Sequence, residues 1–244
     1  MDIATFAAIG FLAQFIDGAL GMAFGIISSS ALMAFGVPPA FASAAVHAAE
    51  VVTTGVSGAS HVWHRNVDWQ LFLRLVIAGV IAGAIGAYVL TGLPEDVVKP
   101  IVTVYLIVMA VLIFARVLGK KFTNWQPPIP VIGAGGGFLD AIGGGGWGPL
   151  VTSTLVATGE QPRKTIGSVN TAEFFVTVAI SVAFFTQLDL AQYGRIVLGL
   201  VIGGAIAAPL AGYLIRVLPQ RRSLQLVGCV VGALCVINVV ALFS

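Results

Sequence analysis

Eight apolar stretches follow one another along the chain with only short polar links between them: 4–33, 41–62, 70–91, 97–118, 129–157, 166–187, 191–216 and 223–243. A helix needs about 20 residues to cross the hydrocarbon core of a bilayer. Six of the stretches have that length or slightly more. The first and fifth are half as long again, and each is interrupted by glycines and one aspartate. Charged residues make up 9% of the 244 positions and hydrophobic residues 58%. A soluble domain carries about 25% charged residues, so this chain cannot cover a water-facing surface. The pattern excludes a soluble enzyme and a disordered chain, and leaves an all-α polytopic membrane protein.

The net charge of +2 is too small for a nucleic-acid partner. Cys229 and Cys235 lie six apart in one apolar segment, on different helix faces, which argues against a disulfide and against metal chemistry. No nucleophile–base constellation is present, so catalysis, cofactor and metal are not expected. Met1-Asp2-Ile3-Ala4 sets no basic region ahead of the first apolar stretch, which is therefore expected to stay in the mature protein.

The chain also matches itself at an offset of 123 residues. Asp17 pairs with Asp140, Gly21 with Gly144, Gly25 with Gly148, Gly36 with Gly159, Pro39 with Pro162 and Glu50 with Glu173, while His47 falls opposite Asn170. Coincidence in apolar sequence seldom aligns acids, prolines and spaced glycines. The chain reads as one membrane domain built from two repeats, 1–122 and 123–244. Duplicated halves in a membrane protein suggest a transporter with its substrate at the repeat interface.

Charge places the links. If all eight stretches cross, Lys and Arg divide evenly between the two sides. If the first and fifth enter and leave on the same side, one side receives Arg65, Arg74, Arg116, Lys120, Lys121, Arg163, Lys164, Arg216, Arg221 and Arg222, and the other only Lys99 and Arg195. The second arrangement obeys the positive-inside rule. Each half is then a broken re-entrant hairpin plus three transmembrane helices, and the halves are inverted relative to one another. Eight full crossings are the alternative.

The candidate site follows. Asp17 and Asp140 mark the two elbows. A carboxylate at that depth must face protein, water or a partner, and broken backbone is tolerated there only beside a cavity or under protein cover. Each Asp either lines a substrate path or caps the following half-helix, and the two roles are compatible. Gly21, Gly137, Gly144 and Gly145 offer either backbone N–H groups to an anion or close helix packing. Trp147 either walls the cavity or fills volume. In the second and sixth stretches, Ser43, His47, Glu50, Thr54, Ser57 and His61 lie roughly on one helix face. Asn170, Glu173 and Thr177 are the equivalents in the sixth. Glu50 and Glu173, near mid-membrane, are candidates for proton exchange or gating, or for a structural pair between the halves.

Gly10-Phe11-Leu12-Ala13-Gln14-Phe15-Ile16-Asp17-Gly18, Gly133-Ala134-Gly135-Gly136-Gly137-Phe138-Leu139-Asp140 and Gly167-Ser168-Val169-Asn170-Thr171-Ala172-Glu173 together resemble the TauE/SafE family of membrane permeases over essentially the full chain. The resemblance implies movement of small sulfur-containing anions, including sulfite and organosulfonates, often as export. Asp17, Glu50, Asp140 and Glu173 carry over only as matches to the repeated pattern. The first elbow departs from it, with Leu20, Met22 and Ala23 where the second has more glycines.

The expected protein is a multi-pass secondary transporter in the plasma (inner) membrane, with a small anion as substrate and protons as the expected coupling ion. Lipid is its other partner, and a homodimer is left open. A cation or neutral-solute carrier and a non-transporting assembly or receptor subunit are the alternatives.

Overall fold

In a computed structural model, residues 2–20, 24–117, 127–157, 161–189, 193–217 and 220–243 are described. The fold is all-α. The helices of the first half are α1 (Ile3–Leu20), α2 (Phe24–Ala34), α3 (Pro39–Trp63), α4 (Trp69–Gly92) and α5 (Glu95–Val117). In the second half, α6 (Ile129–Gly143) is followed by a π-helical stretch, Gly148–Thr152, that runs into α7 (Ser153–Ala157). Then come α8 (Pro162–Gln187), α9 (Gly194–Val217) and α10 (Gln220–Phe243).

Local chemistry sets several of these ends. Gly36, at φ 83°, closes α2 in a Schellman-type turn, its N–H donating to Met33 O and that of Val37 to Leu32 O. Asp68 caps α4 by accepting from the N–H groups of Gln70 and Leu71. Pro39 and Pro162 open α3 and α8, where the missing N–H costs nothing.

Two helix pairs dominate the packing between elements. α1 packs most extensively on α9, and α6 on α4. Each pair joins a broken helix of one half to a long helix of the other. Glycine makes both contacts possible: a Cβ on Gly10 would lie 2.4 Å from Leu200 O, and one on Gly133 2.8 Å from Leu75 O. Both pairs run parallel, since Gly199 meets Ile3 and Gly204 meets Gln14, while Gly133 meets Leu75 and Gly86 meets Ala141.

Between these pairs, α3 and α8 cross antiparallel. His47 lies near Phe184, Gly55 near Phe174, Gly58 near Thr171 and His61 near Asn170. The end of α3 therefore meets the start of α8. There Lys164 Nζ donates to the carbonyls of Arg65 and Val67 at 3.0 and 3.2 Å, and Arg163 Nε to Asn66 Oδ1 at 2.7 Å.

The outer surface is apolar. In α4, Leu73, Ile77, Ile81 and Ile85 recur every fourth residue and stand more than half exposed. Val97, Ile101, Val104, Val108 and Val111 are likewise exposed on α5. Water would penalise such a face. Two helices among the described residues, Trp69–Gly92 and Arg163–Gln187, are long and apolar enough to cross a bilayer. Trp63 and Trp69 are exposed on either side of the polar 64–68 link, as indoles do at a membrane–water interface.

Candidate functional site

The two broken hairpins meet backbone to backbone. A Cβ on Gly25 would lie 2.6 Å from Gly145 Cα and 2.9 Å from Glu50 Oε1. No side chain fits between them. Gly144, Gly145 and Gly146 have φ of 65°, 141° and 153°, a run of left-handed backbone that favours glycine at all three positions. Gly21, expected at the matching first elbow, lies outside the described residues, as do Met22 and Ala23.

Breaking α6 strands its last carbonyls, and hydroxyls from the first half satisfy them. Ser43 Oγ donates to Ala141 O at 2.6 Å, Ser29 Oγ to Gly144 O at 2.6 Å, and the Tyr105 hydroxyl to Gly145 O at 2.8 Å. The π-helical stretch beyond the break begins Gly148-Pro149, where proline removes a donor. Thr154 Oγ1 donates to Leu150 O at 2.7 Å, and Ser153 Oγ donates to Pro149 O. Single π turns of this kind are common at functional sites.

Each elbow aspartate reaches seven residues along the chain. Asp17 Oδ1 accepts the Phe24 N–H at 3.0 Å, and Asp140 Oδ1 accepts the Trp147 N–H at 2.9 Å. Both carboxylates thus hold the start of the returning segment. Their surroundings differ. Asp140 is buried, with Oδ2 3.2 Å from His47 Nε2. The other ring nitrogen of His47, Nδ1, donates to Ser43 O at 2.8 Å, so it carries a hydrogen. His47 thus ties α3 to the second elbow through Asp140.

Asp17 instead lines a cavity of about 250 Å³. Gln14, Phe24, Gly25 and Ile26 join it from the first hairpin. Glu50, Thr53, Thr54 and Ser57 come from α3, Gly146, Gly148 and Pro149 from the second hairpin, and Asn170 and Glu173 from α8. Thr53 and Thr54 hydroxyls both donate back to Glu50 O, within the part of α3 that lines the cavity. Asn170 Nδ2 reaches Ser57 Oγ at 3.4 Å and His61 Nε2 at 3.3 Å across the cavity mouth.

The cavity thus gathers Asp17, Glu50, Thr54, Asn170 and Glu173 of the expected site. It does not gather Gly137, Asp140, Gly144, Gly145, His47, Trp147 or Thr177. Trp147 is fully buried against Gly79 and Gly136, with its indole N–H donating to Val169 O at 3.1 Å. Gly137 lets α6 touch α4 at Gly79 O. The polar stripe of α3 divides, since Ser43 and His47 bind the second elbow whereas Glu50, Thr54 and Ser57 face the cavity. Gln14, Thr53, Phe24, Ile26 and Pro149 are lining residues that the sequence reading did not single out. Gln14, a lone amide three residues before Asp17 in an apolar run, was the available signal.

Close helix packing, an apolar exterior and a polar cavity beside the breaks after α1 and α6 fit a membrane transporter. Residues 6–239 match the family described as Sulfite exporter TauE/SafE. The chain belongs to that family and is a secondary transporter of a small anion across a membrane, not an enzyme. It is also 43% identical over 244 residues to the Probable membrane transporter protein YtnM of Bacillus subtilis (strain 168), an alignment covering 96% of this chain and 80% of that protein. No solved structure matches the chain.

Proposed function

We propose that the protein carries sulfite or an organosulfonate across the plasma membrane, with proton coupling, through the cavity between its two hairpins. The carrying observation is that the first turn of α2, at Gly25 and Ile26, and the glycines of the returning second segment open onto the same cavity as Glu50 and Glu173. Backbone N–H groups at a helix start have no intrahelical partner and carry partial positive charge, which suits a small oxyanion.

Among the described residues, no Lys, Arg or His lines the cavity, whereas three carboxyl groups do. An anion entering beside ionised Glu50 and Glu173 would be repelled at low local dielectric. A proton on one of these carboxyls removes one of those charges and supplies an O–H donor to the substrate. Anion and proton then enter together, which is the physical case for coupling. A cation would be favoured by the same carboxylates if they stayed ionised, and flux measurements separate the two.

The antiparallel crossing of α3 and α8 supports the inverted arrangement of halves. With eight full crossings these two helices would run parallel, and the 64–68 link would lie across the membrane from Arg163 and Lys164. Their hydrogen bonds put Arg65, Arg163 and Lys164 together at one end, which charge asymmetry assigns to the cytoplasm.

Reconstituted protein tests this reading. Sulfite flux into liposomes should depend on an imposed pH gradient. Glu50→Gln and Glu173→Gln should each uncouple flux from the gradient or abolish it. Gradient-independent sulfite flux in all three proteins would remove proton coupling. Cation flux without anion flux would remove the substrate assignment.

A further inference from the structure

We propose that the molecule contains a second vestibule, closed in this structure, on the opposite side of Glu50 and Glu173 from the open cavity, and that the His47–Asp140 contact is the latch that shuts it. This rests on the inverted-repeat reading above and assigns a conformational cycle to that same site.

The repeat itself defines the lining. Shifting the open cavity's residues by 123 positions returns six of them to the same set: Gly25, Ile26, Glu50, Gly148, Pro149 and Glu173. Those six form a centre common to both sides. The other described positions generated by the shift are His47, Gly137, Asp140, Trp147, Val176, Thr177 and Ile180. All seven are buried. Their counterparts Asn170, Gln14, Asp17, Phe24, Thr53, Thr54 and Ser57 all line the open cavity. One half of the pattern is therefore open while its equivalent is sealed.

The sealed half buries hydroxyls that contact with water or solute would satisfy. The Thr177 and Ser181 hydroxyls are buried without a hydrogen-bond partner, at 0% and 4% exposure. A buried hydroxyl left unpaired costs about 1–3 kcal/mol. Thr177 is the counterpart of Thr54, and Ser181 lies one turn further along α8. Exposure of this face would satisfy both groups.

On the sealed side a direct contact joins the second elbow to α3. Both elbow aspartates make the same seven-residue cap, so the elbows themselves do not explain the difference. His47 stands where the open side has Asn170, and it joins α3 to the second elbow through Asp140. Val176 and Ile180 stand where the open side has Thr53 and Ser57, so the closed vestibule is also the drier one. Breaking the latch lets the second hairpin part from α3 while the first closes on α8, which exposes the central acids to the other face.

Single cysteines in a Cys229→Ala/Cys235→Ala background, labelled with a membrane-impermeant maleimide from each face of sealed vesicles, test this. Asn66→Cys and Val37→Cys report the two faces. Thr54→Cys should react from the Asn66 face, and Thr177→Cys, more slowly, from the Val37 face. Adding His47→Asn should raise Thr177→Cys labelling about tenfold and lower Thr54→Cys labelling, as expected when one state loses a contact that the other lacks. Asp140→Ala breaks the same contact from the other side and serves as the second arm. Ile180→Cys replaces Thr177→Cys if that variant fails to fold.

Labelling of Thr177→Cys from the Asn66 face overturns the proposal. So does unchanged labelling in a folded latch variant. The underlying reading has separate readouts: Asn66→Cys and Gln161→Cys reacting from opposite faces would remove the inverted arrangement, and absent sulfite flux with the expected labelling would remove only the substrate.

Discussion

Gly25 and Gly145 show how much one missing Cβ decides. Alanine at Gly25 must displace the backbone of the opposite hairpin as well as the Glu50 carboxyl. We expect Gly25→Ala to abolish anion flux and to lower stability by about 1–3 kcal/mol, the usual cost of overpacking. Thermal unfolding in detergent and liposome uptake would check both effects. Gly135 is the contrast, because a Cβ there meets nothing within 4 Å. Gly135→Ala should retain flux and gain up to about 1 kcal/mol from helix propensity. A run of glycines in sequence cannot separate these cases, since the distinction lies in what approaches each one from a distant part of the chain.

At the scale of elements, the broken α6 persists because other helices complete its hydrogen bonds. Ser29→Ala and Ser43→Ala each leave a carbonyl of the break without its donor, at an expected cost of about 1–3 kcal/mol. Their effects should fall on stability more than on substrate affinity, which unfolding midpoints and flux KM would separate. Gly203 belongs to a different element contact, where an added Cβ would lie 1.9 Å from Ala7 O in the α1–α9 pair. Gly203→Leu should therefore lose folded yield, read by size-exclusion chromatography of detergent extract. The sequence marked the elbows through Asp17 and Asp140, because an acid beside glycines in an apolar run conflicts with an unbroken helix. It also placed Glu50 and Glu173 at matching positions of two polar stripes. It did not reveal that Ser29 and Tyr105 close the second elbow, because neither residue departs from an ordinary helical pattern.

For the whole molecule, the antiparallel meeting of α3 and α8 is the arrangement on which the proposed transport route rests. Asn66→Cys and Gln161→Cys should label from one face of the membrane, and Val37→Cys from the other. The amino-acid sequence by itself determined that this chain is an all-α membrane protein of the TauE/SafE family with a repeated acid-and-glycine pattern. Apolar length, charge scarcity and repetition are properties of residue order, so they can be read without coordinates. Only the tertiary structure decided that Asp17 faces a cavity while Asp140 is sealed against His47, and that Thr54 is open to that cavity while Thr177 is buried. The repeat makes these pairs equivalent in sequence. Their difference arises from which helices of the opposite half pack against them.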